Sequence, residues 1–432
     1  MLKRKIESEL LKWKNDKNKK SLIIEGARQV GKTFIIEHFA KENYENFIEI
    51  NFIKNPSYKA IFEGDLDIDT ILSNITLFTK QGNKLVAGKT LIFLDEIQNC
   101  KEARTALKFF TEDKRFDVIA SGSLLGLHYN LAPTSYPTGY VDFMEMHSLS
   151  FEEFLWANEI NDNIINNLRN CFEKNEKVNE SVNTKILELF RQYIVVGGMP
   201  EVVNTFIETQ DYEKVLKLQR NIVNDYRNDI ANYAISSEKV KATACFNSIP
   251  YQLSRENKKF SYKIVEENGR SSKYFGSIEW LIDAGIVNIS YCLSRLEAPL
   301  IAYVKEDFFK IYMADSGLLI SMLDDGTNAQ ILKGNLGIYK GAIFENVIAK
   351  MLKDNGNKLY YFNRNNSLEL DFVTTNNGDI TPIEVKADNN KAKSLITILN
   401  ENPKMQGFKL INGNIGKSNN LVTLPLYMAM FI

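Results

Sequence analysis

The segment Gly26-Ala27-Arg28-Gln29-Val30-Gly31-Lys32-Thr33 constrains this chain more than any other. It follows an apolar run, Leu22 to Ile24, and opens an amphipathic stretch from Thr33 to Phe39, so it reads as a glycine loop between a strand and a helix. Glycines at both ends let backbone N–H groups turn inward at a helix N-terminus, which is a cradle for phosphate. Residues 26 to 33 are therefore the candidate ATP-binding loop, with Lys32 reaching the β- and γ-phosphates and the Thr33 hydroxyl holding Mg²⁺. A second apolar strand, Leu91 to Leu94, ends in Asp95 and Glu96. Ligands of α/β sheets bind at the carboxyl edge of the strands, so Asp95 is the expected metal partner and Glu96 the group that polarises water. A third strand, Val118 to Ala120, ends in Ser121-Gly122-Ser123. Ser121 there is either a γ-phosphate sensor or a turn former.

Strands alternating with amphipathic stretches over the first third predict a parallel, doubly wound α/β sheet. From about Ser148 the period changes to 3.6, which predicts helices. The expected domains are a P-loop core over 1–147, a helical lid over 148–238, a winged-helix region over 239–328 and a nuclease-like α/β domain over 329–432. With 53 Lys+Arg against 54 Asp+Glu and 44% apolar residues, neither a disordered chain nor a binder driven by a basic tail fits. Cys100, Cys171, Cys245 and Cys292 stand too far apart for a zinc knuckle or redox pair, and His38, His128 and His147 form no ligand pair. No apolar run is long enough to span a bilayer, and the charged N-terminus lacks a signal-peptide centre; a soluble, cytoplasmic protein is expected. The amphipathic N-terminal stretch, Leu2 to Trp13, is expected to pack on the ATPase core.

GARQVGKT, LIFLDEIQ and IASGSLLG, with SLSFEEFL, GGMPEVV (Gly197 to Val203) and YRNDI (Tyr226 to Ile230), resemble a large family of bacterial and archaeal AAA-type ATPases. In that family the C-terminal half is often catalogued as a domain of unknown function. The resemblance implies ATP binding and hydrolysis on a doubly wound core, and it names no biological substrate. AAA-type machines usually place an arginine finger just beyond the sensor strand, whereas no Lys or Arg lies between Arg115 and Arg169. Arg191, Arg220 and Arg227 are the alternatives, with Arg227 of YRNDI first among them, and a cooperative hexameric motor is less well supported than a monomeric or weakly self-associating switch ATPase, so self-association or a protein partner stays open.

SYKIVEENG followed by RSSKYFGSIEWLIDAGIV has the spacing of two helices joined at Gly269, the second capped by Ser271 or Ser272, with Ile278, Trp280, Leu281 and Ile286 facing a core. Residues 252–275 carry Arg255, Lys258, Lys259, Lys263, Arg270 and Lys273 against Glu256, Glu266 and Glu267. Lys263, Arg270 and Lys273 are the candidate DNA contacts; a protein-contact module fits the same residues. Farther on, Glu345, Asp371, Glu384 and Lys386 resemble the constellation of the PD-(D/E)xK nuclease-like fold, although the leading pair reads Leu370-Asp371. Such groups can hold Mg²⁺ and orient water, and Glu369 shares the strand face of Asp371. The fold also persists in proteins that no longer cleave. The terminal LVTLPLYMAMFI is expected to be a buried edge strand.

The leading expectation is a Mg²⁺-dependent ATPase whose nucleotide state repositions a winged-helix and a nuclease-like module on DNA. Two competitors remain: a nucleotide-gated protein-interaction or signalling switch with a degenerate nuclease-like domain, and an ATP-controlled nuclease.

Overall fold

The computed structural model describes residues 2–432 apart from 81, 124–136, 138, 234–235, 335–338, 365–366, 377 and 387–390. It divides into two units, Lys3–Ser148 and Leu149–Ile432. In the first, strands β1 (Ser21–Gly26), β2 (Asn46–Asn51), β3 (Thr90–Asp95), β4 (Asp117–Ser123) and β5 (Val141–Glu145) form one sheet in the order β2-β3-β4-β1-β5. Every neighbouring pair is parallel. Because side chains alternate along a strand, Ile23, Ile92, Leu94, Val118 and Ala120 enter one core, which also takes residues of helices α3 (Ile68–Phe78) and α4 (Lys101–Asp113). Leu22, Ile24, Leu91, Phe93 and Ile119 enter a second core with α1 (Ile6–Asn15) and α2 (Lys32–Asn43). Strands covered on both faces read as continuous apolar runs, as LII and LIFL do. Leu10 and Trp13 of α1 are buried in the second core, and the Trp13 indole donates to the Lys20 carbonyl at 2.9 Å. Strand β4 lies between β1 and β3, so Ser121 ends between the loop 26–33 and Asp95.

The second unit begins with helices α5 (Phe151–Ala157), α6 (Asp162–Lys174), α7 (Glu180–Val196), α8 (Pro200–Thr209) and α9 (Tyr212–Tyr233). Ser150 and Glu153 form a capping box at the start of α5. Gly197-Gly198 is a packing requirement: Gly197 has φ 72°, and a Cβ on Gly198 would lie 2.1 Å from the Leu149 carbonyl oxygen. Gly198 N–H donates to Asp315, whose other oxygen caps α13 (Ser316–Ser321) through Leu318 N–H. The GGMPE motif thus docks one helix junction on another.

Three helices, α10 (Ser236–Ser254), α11 (Tyr262–Val265) and α12 (Ser271–Asp283), precede an antiparallel hairpin of β6 (Val287–Leu293) and β7 (Val304–Met313). Ile278, Trp280, Leu281 and Ile286 are buried as expected, but the cap is not: α12 begins at Ser271, and Arg270 stands in the cap position without a side-chain bond. A Cβ on Gly269 would meet the Tyr262 carbonyl oxygen at 2.1 Å, so the close approach of this turn to α11 explains the glycine.

After α14 (Thr327–Leu332) and α15 (Lys340–Asp354) come β8 (Tyr360–Arg364), β9 (Leu368–Asn376), β10 (Asp379–Lys386), α16 (Lys393–Glu401), β11 (Gly407–Ile411), β12 (Gly416–Ser418) and β13 (Leu421–Pro425). Together with the hairpin they make one eight-stranded sheet, β12-β13-β11-β10-β9-β8-β6-β7. Strand β6 pairs with β8 in parallel, so one sheet runs through the segments expected as winged-helix and nuclease-like regions. The terminal apolar segment also differs from expectation. Only Leu421–Pro425 is strand, β12 lies outside it, and Leu426–Phe431 is a 3₁₀ turn beginning just after Pro425. No helix among the described residues is long and apolar enough to cross a membrane.

Candidate functional site

The loop from Gly26 to Thr33 leaves the carboxyl end of β1 and enters α2 at Lys32. Gln29 and Gly31 have φ of 63° and 94°, which bend the chain back on itself. Gly26 has a further reason to be glycine: a Cβ there would sit 2.2 Å from the Met146 carbonyl oxygen. Val30 is buried in the core beneath α1 and α2 and anchors the loop, while Ala27 and Arg28 are half-buried. The Lys32 ammonium folds over the loop and donates to the carbonyls of Gly26 at 2.9 Å and Ala27 at 2.8 Å. Burial pushes its pKa down to about 8, against the pull of Glu96 and Asp95.

Thr33, in the first turn of α2, brings its hydroxyl to 3.3 and 3.4 Å from the two carboxylate oxygens of Asp95. Ser121 donates to one of those oxygens and the Asn51 amide to the other at 2.7 Å, so Asp95, only 3% exposed, is held by neutral donors alone among these three contacts. Glu96 follows in a left-handed conformation, φ 57° and ψ 46°, which costs a non-glycine residue about 1–3 kcal/mol. Its N–H donates to Ser121 Oγ at 3.4 Å, its carbonyl accepts from the Asn99 amide at 3.1 Å, and its carboxylate accepts from the Gln98 amide. That turn lifts the Glu96 side chain out of line with the strand. Asn51 and Gln98 were not among the expected site residues. Asn51 stands opposite Asp95 across β2 and β3, a register that a strand sequence does not display. The donor set fits Mg²⁺: a hydroxyl and a carboxylate converge at the edge where the loop opens.

In the second unit the charges of Glu345, Asp371, Glu384 and Lys386 act on one another, and with them come two lysines that spacing did not bring there. Lys258, from the segment after α10, and Lys310 of β7 both pair with Glu345, the latter at 3.6 Å; Lys310 also pairs with Glu369 at 2.7 Å. Burial opposes the Glu345 charge, yet the two lysines hold its pKa down at about 2. Asp371 accepts from Val385 N–H at 2.8 Å, and burial followed by the Glu345 charge raises it to about 7. Glu384 is used twice, by Leu395 N–H at 3.0 Å at the start of α16 and by Lys386 at 2.7 Å. A divalent metal would have to displace lysine ammonium groups. Among the described residues no group of three or more His, Cys, Asp or Glu side chains is arranged to hold one. The donor set of the expected nuclease site therefore does not fit Mg²⁺ in this conformation.

Lys263, Arg270 and Lys273 are exposed, and Lys273 pairs with Glu266 at 2.5 Å. Lys259 lies over the ring of Phe308, 5.7 Å from its centre. Of the finger candidates, Arg220 pairs with Asp325 at 2.5 Å and Arg227 donates to Asn247 and Asn224, while Arg191 lies half-buried on α7.

Residues 18–155 match the family model described as an AAA domain. Residues 187–329 and 340–424 match two families described as domains of unknown function, DUF8612 and DUF4143. No curated protein sequence matches the chain. Solved structures similar to it include a Walker-type ATPase of Pyrococcus abyssi, at 13% identity over 74% of this chain and 96% of that one, with a TM-score of 0.44. The ORC1 protein of Aeropyrum pernix in complex with DNA aligns at 11% identity over 76% and 90%, TM-score 0.28. The RuvB Holliday junction branch migration motor of Thermotoga maritima aligns at 12% over 66% and 89%, TM-score 0.29.

Proposed function

We propose that this chain is a Mg²⁺-dependent ATPase whose nucleotide state governs a C-terminal unit that contacts DNA without cutting it. The observation that carries the reading is the convergence of the Thr33 hydroxyl on an Asp95 carboxylate held by Asn51 and Ser121, at the mouth of the loop 26–33. In this reading the backbone of Gly26 to Thr33 cradles the triphosphate, and Lys32 leaves the loop carbonyls for the β- and γ-phosphates. Thr33 and Asp95 would hold Mg²⁺, which supplies charge neutralisation between the phosphates. Glu96 orients the attacking water and accepts hydrogen bonding from it, with Gln98 setting the carboxylate's direction. In the same reading Ser121, bonded to Asp95 at the end of β4, would sense the γ-phosphate.

Steady-state ATP hydrolysis tests this. Lys32→Ala is expected to lose nucleotide binding or turnover, and Glu96→Gln to keep binding while hydrolysis falls about 10²-fold or more, as when a positioned catalytic group is removed. Unchanged hydrolysis in both variants sinks the assignment.

For the C-terminal unit, the helix-helix-helix-hairpin order and the exposed Lys263, Arg270 and Lys273 support DNA contact through phosphates. Duplex affinity should fall steeply with salt and drop in the triple alanine variant; affinity indifferent to both moves the contact elsewhere. A second reading, a nucleotide-gated protein-interaction switch with a degenerate nuclease-like domain, is favoured by the Lys273–Glu266 pair, which neutralises part of the patch.

A further inference from the structure

Arg4 lies ahead of α1 and outside residues 18–155, the part that matches the AAA domain. Its backbone is fixed by reciprocal bonds with Glu7: Arg4 N–H donates to the Glu7 carboxylate at 2.8 Å, and Glu7 N–H donates to the Arg4 carbonyl at 3.2 Å. The side chain is 7% exposed and turns inward. One guanidinium nitrogen, Nη1, donates to the Val30 carbonyl at 3.1 Å, and Nη2 donates to the His147 carbonyl at 2.7 Å.

Both carbonyls matter. A loop that turns its amides inward for phosphate must turn carbonyls outward, and a buried carbonyl needs a donor. Arg4 supplies that donor at Val30, the residue that plugs the loop into the core. His147 belongs to the last stretch of the same unit, which leaves β5 and ends at Ser148. Met146, next to it, is tied to the root of the loop: its N–H donates to the Glu25 carbonyl at 2.7 Å, and its carbonyl fills the space a Gly26 Cβ would take. The segment Glu145–Ser148 is thus fastened to the loop twice, by backbone at Glu25, the residue before the loop, and by Arg4 at Val30. A planar fork reaches two acceptors at once in a way a lysine ammonium does not.

We propose that Arg4 is a positioning residue that holds the loop 26–33 in its phosphate-ready form and ties that form to the outgoing segment 145–148. The inference rests on the nucleotide reading of the loop. Without Arg4 only a fraction of the molecules carries a competent loop, and apparent affinity falls by that fraction. Once nucleotide is bound the loop is the same, so turnover at saturation is kept.

The experiment uses the full chain and its Arg4→Gln, Arg4→Lys and Lys32→Ala variants. It combines ADP titration by calorimetry, steady-state ATP hydrolysis, and amide hydrogen exchange of residues 141–148 with and without ADP. Arg4→Gln is expected to raise the ADP Kd and the ATP KM about tenfold with kcat within about twofold, and to lose the ADP-induced protection of 145–148. Arg4→Lys should fall between Gln and the wild type, and it serves as the reporting variant where Arg4→Gln does not fold. If wild type binds ADP and Lys32→Ala does not, yet both Arg4 variants keep the wild-type Kd and protection, the inference is overturned and the nucleotide reading stands. A lower melting temperature with Kd and KM unchanged assigns Arg4 a purely structural role and also overturns it. Absence of ADP binding by the wild type overturns the nucleotide reading itself.

Discussion

Each unit buries a carboxylate among hydrogen-bond donors, Asp95 at the end of β3 and Glu345 within α15, and the two handle the charge in opposite ways. Around Asp95 the donors are a threonine hydroxyl, a serine hydroxyl and an asparagine amide, while Lys32 is occupied by loop carbonyls. Around Glu345, Glu369 and Glu384 the donors include lysine ammonium groups within ion-pair distance. Neutral donors orient a carboxylate and leave its charge for a cation that arrives later. A lysine spends that charge inside the fold. The same residue types therefore suit a ligand site in one unit and a structural node in the other, and the partner decides which.

Removing a partner from each site tests this contrast and should give the largest difference. Lys310 is 1% exposed and lies between Glu345 and Glu369. Lys310→Met leaves the buried Glu345 with Lys258 alone and takes the ion pair from the half-buried Glu369, and breaking a buried pair from one side costs about 3–5 kcal/mol. Asp95→Asn keeps an acceptor for the surrounding hydroxyls, so its cost in stability should be near 1 kcal/mol, while ATP turnover should collapse. Thermal melts and hydrolysis assays on the two variants check the pair. A Lys310→Met protein as stable as the wild type, or an Asp95→Asn protein that is destabilised yet active, would dissolve the distinction.

The sequence displayed the local half of this contrast and hid the rest. GARQVGKT, LIFLDE and the short apolar strands announce their own elements, because loop, strand and helix signals lie within a few residues. Partners across the sheet are a different matter. Asn51 reaches Asp95 only through β2–β3 register, and Lys258 and Lys310 reach Glu345 from segments 87 and 35 residues away. Lys258 read as part of a basic surface patch, whereas one of its roles is to neutralise an interior acid. The parallel pairing of β6 with β8, which joins the hairpin to the last sheet, likewise leaves no local trace. Ser271 failed as a cap because serine ahead of a helical run is a preference that tertiary packing overrode.

Nucleotide affinity against pH sharpens the Lys32 side of the comparison, with an effect of up to about tenfold per pH unit. Burial lowers the Lys32 pKa to about 8. Phosphates favour the charged form, so the bound value lies higher and binding takes up a proton above about pH 8. ADP affinity should be level below that point and decline above it. Lys32→Arg, whose guanidinium stays charged, should show a flat profile. Wild-type affinity that stays level to about pH 9.5 would mean that Lys32 does not change its charge on binding.

The last comparison belongs to Asp371 and separates the two kinds of acid within one cluster. Lys258 and Lys310 keep Glu345 ionised, and that charge, added to burial, raises Asp371 to about 7. A folded-state pKa above the unfolded one means that the folded protein binds the proton more tightly. The contribution of Asp371 is then fully favourable below about pH 4, the unfolded value, and is lost as pH rises toward 7. Asn at this position never ionises, and its carbonyl can still accept the Val385 N–H. Asp371→Asn should therefore melt close to the wild type near pH 4 and progressively above it up to pH 7, with a constant gain beyond. Each kcal/mol corresponds to roughly 2–4 °C in a unit of this size, so a shift of a few degrees is readable by calorimetry. Glu345→Gln should behave oppositely. Glu345 is held below its ordinary value, its stabilisation is present above about pH 4.5, and the variant leaves Lys258 and Lys310 without their shared acid at neutral pH. A pH-independent shift for Asp371→Asn, or destabilisation at pH 8, would mean that the lysines pair with both acids alike, and the contrast between spent and available charge would have to be redrawn around Asp371.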